Sequence, residues 1–444
     1  MDMPDVHYSR AGGVAIAYQV VGEGTQTLVF SPQIADLMTI WLSSDTRSFL
    51  ERLAEHVRVV VFNPRGTGLS DRPRNVTIEA RMDDINSVLD HIGVQRASLL
   101  GIAMSANVCA LFAASYPDRV ERLILTHPFP RGIRSEGYPW GFDEAGWLVH
   151  LREVREGWGD RGFLNEYTRI MSPQVKDPDE IDLLVLRCRL ALSPTAALDW
   201  FRIGMETDII DILSSIRVPT LVLHRPDDPD DQQGGAGPAH LVTERIRGSQ
   251  SRALRTDLSS AFSSEAVDAI LEFLRGEAPA KVPDSVLATV LFTDLVGSTE
   301  RAAELGDRGW RDVLTRHHAD VRSELGRYRG LEVDSAGDGF FCRFDGPARA
   351  MACARAIVDG AKALDLDVRA GIHTGECELI DEKIAGIAVV TGSRISSLAA
   401  PGEVLVSGTV KDLVAGSGFS FDDRGEHELK GIPGTWRLHA VASA

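Results

Sequence analysis

In the stretch Val290 to Thr299, reading VLFTDLVGST, an apolar run of strand type delivers Asp294 and passes at once into small residues. Further on, Glu332 to Phe341, reading EVDSAGDGFF, delivers Asp338 between two glycines. A lone loop aspartate is ordinarily a solvated cap or a turn former. Two of them, each beside residues small enough to leave room for a ligand, make a set of hard oxygen ligands for two divalent metals. That is the apparatus of phosphoryl chemistry.

The elements needed to position these groups follow from the surrounding pattern. From Ser285 onward the chain reads strand, helix, two strands joined by a tight turn, helix, strand and a further mixed segment, which predicts a ferredoxin-like α+β core. Its first strand is predicted over Ala288 to Phe292. Gly297, Ser298 and Thr299 are expected to cap the next helix, so that backbone N–H groups and the positive end of its dipole face whatever Asp294 holds; phosphates fit there. The hairpin Leu331 to Phe344 is predicted to turn at Ala336-Gly337-Asp338-Gly339, which brings the second carboxylate level with Asp294.

A chain of 444 residues is too long for one ordinary core, so two domains are expected. Its net charge of -17 argues against a general nucleic-acid-binding surface, because a polyanion needs a basic face. No apolar run reaches the roughly 18 residues of a membrane span. The opening MDMPDVHYSR lacks the basic-then-apolar order of a signal peptide, so a cytoplasmic protein is expected. Cys109, Cys188, Cys342, Cys353 and Cys377 lie far apart, several within apolar runs, and read as reduced, structural thiols.

The first part of the chain alternates short β-branched or Leu-rich runs with helix-length amphipathic segments, the pattern of a mainly parallel sheet covered by helices. Strands are predicted at Thr27 to Phe30, Arg58 to Phe62, Ala97 to Leu100, Arg122 to Thr126 and Thr220 to His224, with helices such as Thr77 to Ile92 and Met104 to Tyr116. Between Pro130 and Ile216 the pattern turns helical and aromatic, as for an inserted lid. After a helix at Glu265 to Leu274, the segment GEAPAKVPDS is punctuated by Gly276, Pro279 and Pro283. The boundary is placed near Ala280, giving domains 1–280 and 281–444, with the lid at about 130–216.

The first domain resembles the α/β-hydrolase family through Arg65-Gly66-Thr67-Gly68-Leu69-Ser70, the LLGIAMSAN region and VPTLVLHRPDD. The resemblance implies a nucleophile in G-x-S-x-G on a strained strand-to-helix turn, with an acid and a histidine later in the chain. Gly101 is in place, but the nucleophile position is Ala103 and the second glycine is Ser105. Asp228 stands at the acid position, while Leu254 to Ala261, LRTDLSSA, contains no histidine. Triad members act as a unit, so hydrolase activity is not expected. A small apolar ligand beneath the lid, or a scaffold role, remains open for this domain.

The second domain resembles the class III nucleotide cyclases through FTDLVGST, SAGDGFF, GIHTGE, GIAVVTGSRI, PGEVLVS and ELKGIPGTWRL. The resemblance implies that Asp294 and Asp338 bind two Mg²⁺ or Mn²⁺ ions and that the ribose 3′-hydroxyl attacks the α-phosphate of a nucleoside triphosphate with loss of pyrophosphate. Arg394 matches the family's transition-state arginine and Lys430 a triphosphate contact. A homodimer is implied, since family sites form between two chains. Adenylate cyclases of this family carry a lysine and an aspartate for adenine where this chain has Asp334 and Lys383, so the two charges are exchanged, and the family's asparagine four residues beyond Gly386 is Val390. The exchanged pair can meet guanine, can meet adenine in another pose, or can form a salt bridge that reads no base. ATP is expected first by the resemblance and GTP second. A weakly active nucleotide-binding module and, last, an ester hydrolase are the alternatives.

Overall fold

The computed structural model describes residues 3–74, 76–171, 175–225, 236–254, 260–276, 285–380 and 383–442. The chain divides into two units, Met1–Pro283 and Asp284–Ala444. The connector around Ala280, where the boundary was expected, lies outside the described residues.

The first unit is built on an eight-stranded sheet with strands β1 (His7–Ala11), β2 (Val14–Val21), β3 (Thr27–Ser31), β4 (Arg58–Phe62), β5 (Ala97–Ile102), β6 (Val120–Thr126), β7 (Thr220–His224) and β8 (Gln250–Ala253). Their spatial order is β1-β2-β4-β3-β5-β6-β7-β8. From β4 to β8 all pairs are parallel, and β1 and β2 join antiparallel at one edge. The central strands β3 and β5 are buried at every position, as expected of parallel strands covered on both faces. Helices α1 (Ser44–Ala54), α2 (Ile78–His91) and α3 (Met104–Ser115) interleave with the strands. Sequence reading passed over β1, β2 and β8. The two edge strands explain themselves: HYSRA and QSRA are short and polar, and β8 is exposed throughout, so neither carries an apolar alternation.

The lid expected over 130–216 consists of α4 (Glu144–Gly157), α5 (Arg161–Met171), α6 (Pro178–Ala191) and α7 (Pro194–Glu206), with Trp147, Trp158, Tyr167, Trp200 and Phe201 in one apolar cluster. Helices α8 (Ala236–Arg245) and α9 (Ser264–Arg275) complete the unit, with α9 packing on α1 through Val267, Ile270 and Leu274.

The second unit contains β9 (Ser285–Val296), α10 (Ser298–Arg327), β10 (Leu331–Ala336), β11 (Gly339–Phe344), α11 (Pro347–Lys362), β12 (Asp367–Ile380), β13 (Lys383–Ala385), α12 (Ile387–Leu398), β14 (Val404–Ser407), α13 (Gly408–Leu413), β15 (Phe421–Glu428) and β16 (Thr435–Val441). The strand order β10-β11-β9-β12 is that of the expected ferredoxin-like core, and β14, β16 and β15 extend it, with β13 hairpinned on β12. The first strand is longer than predicted, because the alternation through Thr293 and Leu295 continues pairing with β12 beyond Asp294. One face of the sheet packs on α10 and α11 through Leu291, Leu295, Phe340, Val368 and Ile372. The other carries Phe292 and Phe341 and is crossed by α12. The approach of α12 depends on Gly371, where an added Cβ would lie 2.1 Å from the Ser396 backbone nitrogen. All five cysteines are buried and free. Among the described residues no helix is long and apolar enough to cross a membrane.

Candidate active site

The pleat decides which side chains meet. Along β9, Phe292 and Asp294 point to one face, and Asp334 on β10 is opposite Phe341, itself opposite Phe292, so these side chains share the face crossed by α12. Phe292 and Phe341 stack with ring centroids 4.5 Å apart. Beside them lies a cavity of about 350 Å³ lined by Asp294, Asp334, Ser335, Arg369 and, from α12, Ser393 and Ser397.

Asp294 is not a free carboxylate here. Register pairs it with Arg369 on β12, and Arg369 binds Asp294 Oδ2 through Nε at 3.0 Å and through a second, very short contact from its terminal nitrogen. Sequence reading missed Arg369. Nothing in its neighbourhood marks it, since only strand pairing brings residue 369 opposite residue 294.

Asp338 sits in the two-residue turn between β10 and β11, where Ala336 pairs with Gly339 and Gly337 takes a φ of 63°. The last β11–β9 pair is Phe340 with Thr293, so one further step sets Gly339 level with Asp294 and leaves Asp338 just beyond it. Its Oδ2 is buried without a hydrogen-bond partner. Burial lowers the pKa of His317 on α10, a shift that Asp320 and Asp338 partly oppose. Asp334 is exposed, and its Oδ1 accepts from the Ser335 N–H at 3.0 Å.

The expected cap differs in detail. Gly297 is itself the N-cap, in the left-handed region with φ 68°, and neither Ser298 nor Thr299 is a capping side chain; both lie inside the first turn of α10. A residue that must turn left-handed favours glycine over a hydroxyl residue.

Arg394 and Lys430 come together elsewhere. Arg394 Nε donates to the Lys430 carbonyl at 3.1 Å, and Lys430 lines a separate cavity of about 520 Å³ in the loop between β15 and β16. Neither lines the cavity of Asp294. Lys383 pairs through its backbone with Ile380, and its side chain lies outside the described residues. Val390 is 41% exposed on α12.

The described residues contain no group of three or more His, Cys, Asp or Glu placed to hold a metal ion. A site with few carboxylate donors suits Mg²⁺ or Mn²⁺, which keep waters and take phosphate oxygens from a substrate. The unpartnered Oδ2 of Asp338 and the cavity-facing carboxylate of Asp294 fit such an ion, which would take the place of Arg369 at Asp294.

In the first unit the strained turn survives its chemistry. Ala103 holds φ 50° and ψ −120° between β5 and α3. Gly101 is required there, because an added Cβ would meet Ala106 Cα at 2.7 Å. Ser105 is buried and its hydroxyl donates to the Pro32 carbonyl at 3.0 Å, so it is committed to a structural bond. Asp228 and residues 255–259 of the segment without histidine lie outside the described residues.

These two folds with their sites define a pairing of an α/β-hydrolase fold with a cyclase-type α+β domain, and comparison with known proteins agrees. Residues 27–166 match the profile of the alpha/beta hydrolase fold, and residues 281–442 that of the adenylate and guanylate cyclase catalytic domain. The putative carbamate hydrolase RutD of Caulobacter sp. (strain K31) is 31% identical over 108 residues, 24% of this chain and 38% of that protein. The match thus spans well under half the length of that relative. Bromoperoxidase from Bacillus anthracis superposes with a TM-score of 0.54 at 22% identity, covering 61% of this chain and 100% of that one. The adenylyl cyclase CyaB from P. aeruginosa gives a TM-score of 0.34 at 23% identity, covering 36% of this chain and 95% of that one. The chain joins an α/β-hydrolase-fold domain to a class III adenylate/guanylate cyclase catalytic domain.

Proposed function

We propose that the chain converts ATP to 3′,5′-cyclic AMP and pyrophosphate at a site shared between two copies. The observation that supports a shared site is the separation within one chain: Asp294 and Asp334 line one cavity, while Lys430 lines another and Arg394, which lines neither, is bonded to the Lys430 carbonyl. A second chain supplying Arg394 and Lys430 opposite Asp294 and Asp338 completes the set. Ile387, Val390 and Leu398 are exposed on the same stripe of α12 as Arg394, at spacings of one helix face, and an apolar stripe of this kind suits a partner surface.

In the reaction the ribose 3′-oxygen loses its proton to solvent and bonds to the α-phosphorus, and the bond from that phosphorus to the departing pyrophosphate oxygen breaks. Asp294 and Asp338 hold the divalent cations that, when bound, lower the cost of the 3′-alkoxide and of charge on the phosphates. Arg394 donates to the α-phosphate as its charge develops, and Lys430 holds the leaving pyrophosphate. The open backbone N–H groups following Gly297 face the phosphates.

The base is the second question. Asp334 lines the Asp294 cavity and accepts from the adenine N6 amino group if Lys383 reaches N1. A guanylate cyclase is the second reading, because the same carboxylate can accept from guanine N1–H and N2–H₂ while Lys383 donates to O6. Purified protein incubated with Mn²⁺ and either ATP or GTP, beside an Asp338→Ala control, tests both. Cyclic nucleotide above the control with one base identifies the substrate; none with either base defeats the cyclase reading.

A further inference from the structure

The lid of the hydrolase-fold unit covers a cavity of about 500 Å³ whose walls include Phe30, Ile102, Leu183, Leu184 and Phe262. Arg187, on α6, also lines it. The Arg187 Nε is buried without a hydrogen-bond partner among the described residues, and burial lowers its pKa. Its neighbour Cys188 offers no charge, because burial pushes that thiol up to about 11. Asp45, Asp179 and Glu180 line the same cavity but are exposed, and two helical turns put Glu180 about 10 Å along α6 from Arg187. A guanidinium nitrogen buried without a partner is costly, and the planar fork of an arginine matches a carboxylate.

We propose that this cavity binds a small organic monoanion, a carboxylate with an apolar body, with the carboxylate on Arg187 and the body against Phe30, Ile102 and Leu183. The site holds its ligand without cleaving it, since Ala103 supplies no nucleophile and the Ser105 hydroxyl is bonded to Pro32. A charged anchor inside an apolar cavity distinguishes this ligand from a neutral one of the same shape. The inference is independent of the cyclase reading, because it concerns binding to the other unit.

Calorimetric titration of the full chain with decanoate, decanol and decyltrimethylammonium tests it. Decanoate is expected to bind at least about tenfold tighter than decanol, and the cationic probe weakest. Arg187→Met is expected to remove the advantage of decanoate and leave decanol unchanged, Arg187→Lys to restore part of it, and Leu183→Trp to weaken both by filling the cavity. Decanol matching decanoate, decanoate indifferent to Arg187→Met, or no binding of decanoate overturns the proposal. If Arg187→Met fails to fold, the ranking of the three probes on the unaltered chain decides it.

Discussion

At Ala103 the backbone keeps the turn that a nucleophile needs, with φ 50° on a residue that carries no hydroxyl, whereas at Asp294 and Asp338 the chemical side chains are kept on ordinary strand and turn geometry. The first arrangement persists because packing imposes it: β5 and α3 meet so closely at Gly101 that the connection has little freedom left. The second persists without strain, yet one chain does not assemble it, since Arg369 occupies Asp294 and Arg394 turns to the Lys430 carbonyl. Backbone geometry and side-chain chemistry are thus separable, and each unit keeps the half that the other lacks. A strained turn is weak evidence of catalysis when its side chain is gone. An unstrained carboxylate pair is better evidence when the rest of its site is expected from a second chain.

The largest effects are expected at the carboxylates. Asp338→Ala or Asp294→Ala is expected to cut cyclic nucleotide formation by about 10³-fold, from several kcal/mol of lost cation binding and charge stabilisation, as measured by product release under Mn²⁺. Retained turnover in either variant removes the chemistry from this unit.

Mixing equal amounts of inactive Asp294→Ala and Arg394→Ala chains tests whether the site is shared. Half of the random dimers carry both variants, and each of these has one intact shared site of two, so activity is expected to recover to about a quarter of the unaltered level. Failure to recover points to sites that are complete within one chain.

A pH effect separates the stability of the cyclase unit from its chemistry. His373 is buried on β12, hydrogen-bonded to the Ser407 hydroxyl at 2.8 Å, and burial lowers its pKa from 6.5 to about 4. The folded unit keeps this imidazole neutral while the unfolded chain protonates below its ordinary pKa. Its contribution is therefore intact above pH 6.5 and is lost as pH falls toward 4, by about 3 kcal/mol in total. Denaturant unfolding of this unit at pH 7 and pH 4.5 measures it, and His373→Gln is expected to reduce the difference.

The smallest expected effects lie at the silent elbow. Ala103→Gly relieves the positive φ at some cost in chain entropy and is expected to stabilise the first unit by about 1 kcal/mol, read from its thermal unfolding. Ala103→Ser restores the hydroxyl at the nucleophile position but no histidine, and nitrophenyl ester hydrolysis is expected to stay at the level of the unaltered chain. Ester turnover that depends on Ser105 would contradict the bond from its hydroxyl to Pro32.

Particular residues show what was legible. The strand runs ending at Phe62 and His224 were bounded correctly from their apolar character alone, and the Gly337-Asp338 turn from its glycines, because local patterns of burial and turn chemistry are written in neighbouring residues. The polar edge strands β1 and β8 were not, since an edge needs no apolar alternation. Of the three residues expected to cap α10, Gly297 took the N-cap position because the chain turns left-handed there.

By itself, the sequence determined the residue types: Ala103 and a segment without histidine where the hydrolase resemblance implies a nucleophile and a base, and Asp294, Asp338 and Arg394 where the cyclase resemblance implies metal ligands and an arginine. Tertiary structure alone decided that Asp294 is held by Arg369, that Asp338 keeps an unpartnered oxygen, that Arg394 is bonded to the Lys430 carbonyl, and that Arg187 lines a cavity with its Nε unpartnered. Residue types fix which chemistry is available. Only strand register, helix approach and burial bring together charges that are distant along the chain, and these depend on long-range packing that no local pattern records.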